Sequence, residues 1–368
     1  MRLIRLVVLT AGLCALAWAA RAEVIETRAG PMRAEPVVTG LDTPWAFGFL
    51  PDGTVLITQR DGALLARLPD GTVAPISGVP EVAAVGQGGL LDVLVPRDFA
   101  VSREIFVTFA RQQGRGQGTA VARAVLDLPS RALRDVAVIF EMAPGSAGGR
   151  HFGSRLVEAA DGALFVTLGE RGDAPAAQDL TRHNGKIVRI ARDGTVPDGN
   201  PLAGQAGAQP EIWSWGHRNP QGAALDPGGQ LWAVEHGAMG GDEVNRIEPG
   251  RNYGWPVIAY GRDYSGARIG IGTARDGLEQ PAFYWDPSIA PSGMAFYDGA
   301  VAEWQGDLFI GSLKFDLIAR LSGQPLREVE RISGDSTQRV RDVRSGPDGA
   351  LWFLSEGNGA LYRLVPDR

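Results

Sequence analysis

The feature that most constrains this chain is a short turn-and-strand unit that keeps returning. "PDGTVLITQRDGALLARL" begins at Pro51, "ADGALFVTLGERGD" at Ala160, "DPGGQLWAVEHG" at Asp226, "GDLFIGSLKFDLIARL" at Gly306 and "PDGALWFLSEGNGALYRL" at Pro347. A weaker member, "SREIFVTFARQQ", begins at Ser102. Asp-Gly marks a tight turn, because the turn needs positive φ that glycine adopts freely. The segments that follow are short and rich in β-branched and aromatic residues, the composition of strands. Helical periodicity is almost absent. Six such units at about 58 residues each predict radial repetition of small sheets. The fold class expected is therefore all-β: a six-bladed β-propeller of four-stranded antiparallel sheets with long loops on one face. The blades are expected near 40–80, 85–140, 150–205, 210–285, 290–325 and 335–366, with long insertions within 191–212 and 250–290. A pair of β-sandwiches is the alternative architecture. The 50 glycines and 24 prolines suit so many turns.

The N-terminus reads differently from the rest. Arg2 and Arg5 precede an apolar run from Leu6 to Ala20, and Ala20-Arg21-Ala22 forms a small-x-small cleavage pattern. Residues 1–22 are expected to be a secretory signal peptide, and 23–368 a single propeller domain, periplasmic or secreted. The run is too short for a membrane span. Cys14 is the sole cysteine and lies in that leader, so the mature chain has neither disulfide nor thiolate chemistry. The leader removes three arginines and no acid, so the net charge moves from −6 to −9. No basic run suits nucleic acid. No exposed apolar repeat decides between monomer and dimer.

Polar residues that do not suit a strand core gather after the inner strands of these units. Gln87 lies in "GQGGLLDV", His151 in "GGRHFGSR", Arg218 and Asn219 in "GHRNPQG", Glu235 and His236 in "EHGAMGGDE", Lys314 in "GSLKFD", and Arg339 and Arg341 in "QRVRDV". In a propeller these loops converge on the central channel. Three arginines, a lysine and a histidine in one ring suit a ligand with several anionic groups, since arginine offers paired donors to carboxylates. Singly, Arg339 and Arg341 read as a solvated strand face, Lys314 as a surface lysine, and His183 and His217 as loop hydrogen-bonding residues. His151 is one of four histidines, and the glycines around it imply close approach to the backbone.

These residues resemble the soluble quinoprotein sugar dehydrogenases, and within them the periplasmic aldose sugar dehydrogenase branch. The resemblance covers most of the mature chain and is carried by "GQGGLLDV", "GGRHFGSRLV", "HNGKIVRI", "GHRNPQG", "GGDEVNRIEPGRNYGWP", "LKFDLIARL" and "RVRDV". It implies pyrroloquinoline quinone (PQQ), whose three carboxyl groups match the cationic ring. It implies that Lys314, Arg339 and Arg341 bind the cofactor, that Arg218, Asn219 and His236 help to place it, and that Ser288 in "WDPSIAPSG" lies beside it. Gln87 lies near substrate and quinone. His151 corresponds to the base that takes the anomeric proton while hydride leaves C1 for the quinone, with its flanking glycines leaving room for the sugar. An ordinary histidine pKa of about 6.5 suits that task. Arg150 stands where the family can have an aspartate, so an acidic partner at that position is absent. The resemblance further implies an active-site Ca2+ on the carbonyls of Gly237 and Ala238, a Lewis acid. A second Ca2+ is implied on Glu243, the carbonyls of Tyr253, Ala259 and Gly261, and Asp263; otherwise Asp242 and Glu243 cap a turn. The substrate implied is an aldose, oxidised to a lactone, with an external electron acceptor. The competing readings are a calcium-dependent sugar lactonase, for which Glu170 and Glu235 are candidate ligands, and a propeller that binds a glycan or protein without catalysis.

Overall fold

The structure is a computed structural model and describes residues 22–367. The leader-like segment lies outside the described residues except for Ala22. The Asp-Gly turns form as expected. Gly53, Gly62, Gly162 and Gly349 all have φ near 80–110° (86°, 111°, 85° and 78°). The preceding aspartates accept backbone N–H groups two residues on, as Asp52 does from Thr54 at 2.9 Å.

Each turn folds a strand back on its predecessor, and the strands collect into six antiparallel sheets arranged as the blades of a propeller. Blade one is Pro44–Phe49, Val55–Gln59, Leu64–Arg67 and Val73–Ile76. Blade two is Leu90–Leu94, Glu104–Gln113, Gly116–Asp127 and Ala132–Glu141. Blade three is Leu156–Glu158, Leu164–Leu168, Lys186–Ile190 and Ile212–Trp215, with Arg251–Asn252 added in parallel. Blade four is Pro220–Leu225, Leu231–Glu235, Asp242–Arg246 and Phe283–Trp285. Blade five is Pro291–Phe296, Leu308–Ser312, Leu317–Ser322 and Arg327–Ser333. Blade six is Val340–Ser345, Leu351–Ser355 and Ala360–Pro366, completed by Gly30–Val38 and Glu23–Thr27.

Three boundaries differ from the sequence expectation. Ile212–Trp215 closes blade three rather than opening blade four, because it pairs with Lys186–Ile190 across the long 191–211 insertion. Blade five runs on to Ser333. The outer strands of blade six come from the other end of the chain: Met32 faces Pro366 and Ala34 faces Leu364. Gly30–Val38 thereby straps the ring shut.

The first strand of each blade packs on the first strand of the next, and that of blade six returns to blade one. An apolar core fills each interval between blades. Trp304, Phe309, Phe353, Tyr362 and Met32 form the one between blades five and six. Phe47, Ile57, Trp352 and Leu354 form the one between blades six and one. Charges hold the middle of the ring. Arg155 of the loop entering blade three reaches Asp92 of blade two at 3.0 Å and Asp342 of blade six at 3.1 Å. Arg344 reaches the same two carboxylates at 2.7 and 3.0 Å. Two cations on two buried carboxylates leave no uncompensated charge, the condition under which a buried ionic cluster is tolerated.

Candidate active site

In an antiparallel blade the start of the first strand and the end of the second lie at the same end. This corrects the expectation that the polar residues all follow inner strands. Gln87, His151, Arg218, Asn219, Ser288 and Arg339 precede the first strands of their blades, and Arg341 lies in one. His236 and Lys314 follow second strands, as do Arg60, Glu170 and Glu356.

His151 is held from three sides. Its backbone N–H donates to Gln87 Oε1 at 2.8 Å. Its Nδ1 lies 2.8 Å from Glu170 Oε2, and its carbonyl presses on Gly169, where a Cβ would come within 2.0 Å. A carboxylate only accepts, so Nδ1 carries the proton and Nε2 presents its lone pair. Glu170 Oε2 also accepts the Gly172 N–H. The acidic partner missing at Arg150 is thus supplied by the neighbouring hairpin of the same blade. Burial lowers the His151 pKa below its ordinary value; Glu170 opposes this, while Arg218 and Arg150 add to it. The backbone here is strained at His151, φ 55°, and Ser154, φ 90°, while Gly153 takes its 64° freely.

The glycines do not leave room for sugar, as the sequence reading supposed. A Cβ on Gly148 would meet the Arg171 carbonyl at 2.8 Å, and one on Gly153 the Thr167 carbonyl at 2.7 Å. Gly86 and Gly149 press together, with a Gly86 Cβ only 2.1 Å from the Gly149 carbonyl. The close approach is by the protein's own loops, which lock the His151 segment in place.

Beside this segment opens a cleft of about 650 Å³, lined by Gln87, His236, Gly237, Ala238, Ser288, Lys314, Arg339 and Arg341 among others. Trp45, Arg60, Gln221, Met239 and Tyr264 also line it. Arg341 is buried, pairs with Glu356 at 2.8 Å, and donates to Gln221 Oε1 at 2.8 Å. Arg339 reaches the same Glu356 at 3.2 Å. Neither arginine belongs to a solvated strand face: Arg341 faces the channel, and Arg339 sits before the strand at φ 51°. Lys314 is exposed, with its ammonium 5.0 Å from the Phe315 ring centroid. Two guanidiniums share one carboxylate and the lysine has none among the described residues, so the cleft keeps surplus positive charge. A tricarboxylate such as PQQ fits that donor set.

His236 lies between this cleft and a smaller cavity and lines both. Its Nε2–H donates to the Pro291 carbonyl at 2.6 Å, leaving Nδ1 as an acceptor. Burial, with Arg218 next, pushes its pKa down to about 3, so it is neutral. Ser288 Oγ donates to Asp242, 2.8 Å from Oδ2. Asp242 also accepts the N–H groups of Gly237, Ile289 and Ala290 at 2.8, 2.7 and 3.0 Å. It therefore ties the Gly237 loop to the Ser288 loop rather than capping a turn. Asn219 is buried, and its Oδ1 accepts the Gly153 N–H at 3.1 Å, so it steadies the His151 loop and does not line the cleft.

The smaller cavity, about 20 Å³, is lined by Arg218, Glu235, Glu243, Tyr253, Ala259 and Gly261, with Gly237 and Ala238 on its wall. Burial, and the neighbouring Glu235 carboxylate, push the Glu243 pKa well above the usual carboxylate range. Among the described residues no N–H donates to the carbonyls of Gly237, Ala238, Tyr253, Ala259 or Gly261. Free carbonyls around a buried carboxylate, in a space for one ion, form an oxygen donor set that suits Ca2+. Asp263 does not join them: it is exposed and its Oδ1 accepts the N–H and Oγ–H of Ser265 at 2.9 and 2.7 Å. No three His, Cys, Asp or Glu side chains converge as metal ligands among the described residues.

The site residues that the sequence does not mark share one trait: their partners lie in other segments, 19 to 120 residues away. The sequence alone offers Glu170 only as a candidate metal ligand and marks no site role for Arg60, Gln221 or Asp242. His217 and His183 are structural, as expected. His217 donates to Glu235 at 2.8 Å and lies 2.9 Å from Ser214 Oγ. All three are buried, so this Ser–His–Glu line offers no nucleophile to a substrate.

The comparisons with known proteins agree with this geometry. The glucose/sorbosone dehydrogenase family profile matches residues 41–363. The chain is 45% identical over 359 residues to the aldose sugar dehydrogenase YliI of Escherichia coli, covering 95% of each. It is 27% identical over 415 residues to quinoprotein glucose dehydrogenase B of Acinetobacter calcoaceticus, covering 89% of this chain and 86% of that one. Among solved structures, the apo form of the E. coli aldose sugar dehydrogenase superposes with a TM-score of 0.87 at 43% identity, covering 91% of this chain and 99% of that one. The PQQ-bound aldose sugar dehydrogenase of Streptomyces coelicolor superposes at 0.76 and 26% identity, covering 94% and 99%. With the profile spanning most of the chain and YliI matching nearly end to end, this protein belongs to the glucose/sorbosone dehydrogenase family.

Proposed function

We propose that this chain oxidises the C1 hydroxyl of aldose sugars to lactones, using PQQ and Ca2+, with His151 as the base. The observation that carries the reading is the His151–Glu170 pair, tied through Gln87 to a cleft with surplus positive charge. Lys314, Arg339 and Arg341 would hold the carboxylates of PQQ, with His236 and Ser288 along its edge. The carbonyls of Gly237 and Ala238 would hold the active-site Ca2+. Glu243 with the carbonyls of Tyr253, Ala259 and Gly261 would hold a second. When bound, the cofactor supplies a two-electron acceptor and the metal a Lewis acid.

The chain's own residues do the rest. His151 Nε2 takes the proton of the anomeric hydroxyl, and Glu170 stabilises the imidazolium that forms. Gln87 fixes the His151 backbone and faces the cleft. Arg218 borders the smaller cavity and donates to the His236 carbonyl at 3.3 Å, which holds the wall between the two cavities. The lactonase reading lacks a central carboxylate set, since Glu170 and Glu235 are spent on His151 and His217.

Residues 1–22 would direct export, placing the enzyme in the periplasm or outside the cell. An external acceptor would then take the electrons. Among the described residues no helix is long and apolar enough to cross a membrane. The test is reconstitution. The mature chain, stripped with chelator, receives PQQ and Ca2+ separately and together while dye reduction is followed with a panel of aldoses. Activity with both additions alone is expected. A protein that binds no PQQ would overturn the reading.

A further inference from the structure

Arg60 follows the second strand of blade one and lines the cleft, yet among the described residues it makes no ion pair. Its Nε is buried without a hydrogen-bond partner. Arg60, Arg339 and Arg341 line the same cleft, and among the described residues Glu356 is the one carboxylate that pairs with any of them. Such an excess of cations in a half-closed cleft costs stability unless an anion is bound there.

Arg60 is also tied to the base. Its Nη2 donates to the Gly86 carbonyl at 2.9 Å. Gly86 is pressed on Gly149, and the next residue, Gln87, donates its N–H to the Gly149 carbonyl at 2.7 Å. Gln87 Oε1 then accepts the His151 N–H at 2.8 Å. Arg60 therefore has its guanidinium on the loop that fixes His151, lines the cleft, and keeps a buried Nε–H without a partner.

We propose that Arg60 is a further anion-holding residue of the cleft and that it couples occupancy of the cleft to the placement of the Gln87–His151 loop. The ligand class is a planar polycarboxylate, and the identification of that ligand as PQQ rests on the function proposed above. Arg60 is a positioning residue with respect to His151, which it does not touch.

The test needs no turnover. PQQ is titrated into the Ca2+-loaded mature protein, as wild type, Arg60→Gln and Arg60→Lys, and followed by cofactor absorbance and by tryptophan fluorescence, since Trp45 lines the cleft. Hydrogen exchange of residues 85–87 and 149–151 is measured with and without PQQ. Arg60→Gln is expected to weaken binding by about tenfold or more, the usual worth of a hydrogen bond to a charged group. It is also expected to abolish the extra protection of both loops that PQQ gives the wild type. Equal affinity and equal protection in Arg60→Gln and wild type would overturn the proposal. The backbone bonds of residue 60 to Thr43 and Leu90 persist in any variant. Should Arg60→Gln fail to fold, Arg60→Lys must weaken binding at least about threefold, because lysine lacks the forked donor. If the wild type binds no PQQ, the cofactor reading fails, and benzene-1,3,5-tricarboxylate is titrated instead. Weaker binding of that anion by Arg60→Gln would then support the role of Arg60. Equal binding in both proteins, or none in either, would overturn it.

Discussion

Glu170→Gln probes the pair on which the proposed chemistry turns. The two side chains are 12% and 3% exposed, and Oε2 stands 2.8 Å from Nδ1. A hydrogen bond to a charged group contributes about 1.5–3 kcal/mol. At about 1.4 kcal/mol per factor of ten, the imidazolium that forms as His151 takes a proton becomes roughly ten- to a hundredfold less favourable. The substitution also frees the tautomer. A glutamine amide can donate to Nδ1, which moves the ring proton to Nε2 and removes the base. Together these predict a fall in kcat/KM of about a hundredfold or more, with PQQ affinity retained. The pH dependence has a definite sign. His151 must be neutral to act, so activity rises with pH through its pKa. Burial already holds that pKa below the ordinary value, and Glu170 is the principal group opposing it. Losing the carboxylate deepens the depression and moves the acid limb to lower pH. By the same linkage, the stability owed to neutral His151 is present above the unfolded histidine pKa and lost as pH falls through the folded one. The assay is kcat/KM against pH for the reconstituted enzyme, with His151→Ala as the floor of activity at unchanged PQQ binding. A Glu170→Gln enzyme within about threefold of wild type, with an unmoved acid limb, would refute the pairing as the source of base strength.

Three further outcomes are expected. Lys314→Ala should weaken PQQ binding about tenfold, because one carboxylate loses a charge-assisted contact; an unchanged titration curve rules that contact out. Glu243→Gln should lose the rise in thermal midpoint that Ca2+ gives the wild type, since it removes the charged ligand of the small cavity; an equal rise in both proteins means that the ion binds elsewhere. Met32→Ala, in the strap and 1% exposed, should cost about 2–5 kcal/mol in urea unfolding, and a loss under about 1 kcal/mol would show that the strap is dispensable.

What the sequence disclosed, it disclosed through local chemistry. Asp52-Gly53 and Asp348-Gly349 fix their own turns, and the strands between such turns are too short and too apolar to form anything but small stacked sheets. The propeller and the gathering of Lys314, Arg339 and Arg341 follow from that repetition. The rest depends on partners distant in the chain. Glu170 stands 19 residues from His151, and nothing in "LGERGD" marks it as that histidine's partner. The glycines of "GGRHFGSR" were legible as a demand for space, but not that Arg171, Thr167 and Gly86 fill it. The family resemblance implies Asp263 as a metal ligand, whereas in the structure it is exposed and bonded to Ser265. The pairing of Gly30–Val38 with Ala360–Pro366 joins segments separated by more than three hundred residues, and no local pattern encodes it.

That pairing also sets an order of events in the life of the molecule. The strap is made more than three hundred residues before its partner. Until Ala360–Pro366 emerges, the blades can stack only as an open arc, with Met32 lacking its partner across the seam. The seam lies inside a sheet, not between two sheets, so closing it means zipping a ladder of backbone bonds along a full strand. Contacts that span the whole chain pay their loop entropy last, and ring closure is therefore expected to be the slow, late step of folding. The strap can pair early with Glu23–Thr27 on one edge, but its other edge stays open until Ala360–Pro366 is made. A nascent chain stalled before Ala360 would keep five blades and lose the ring.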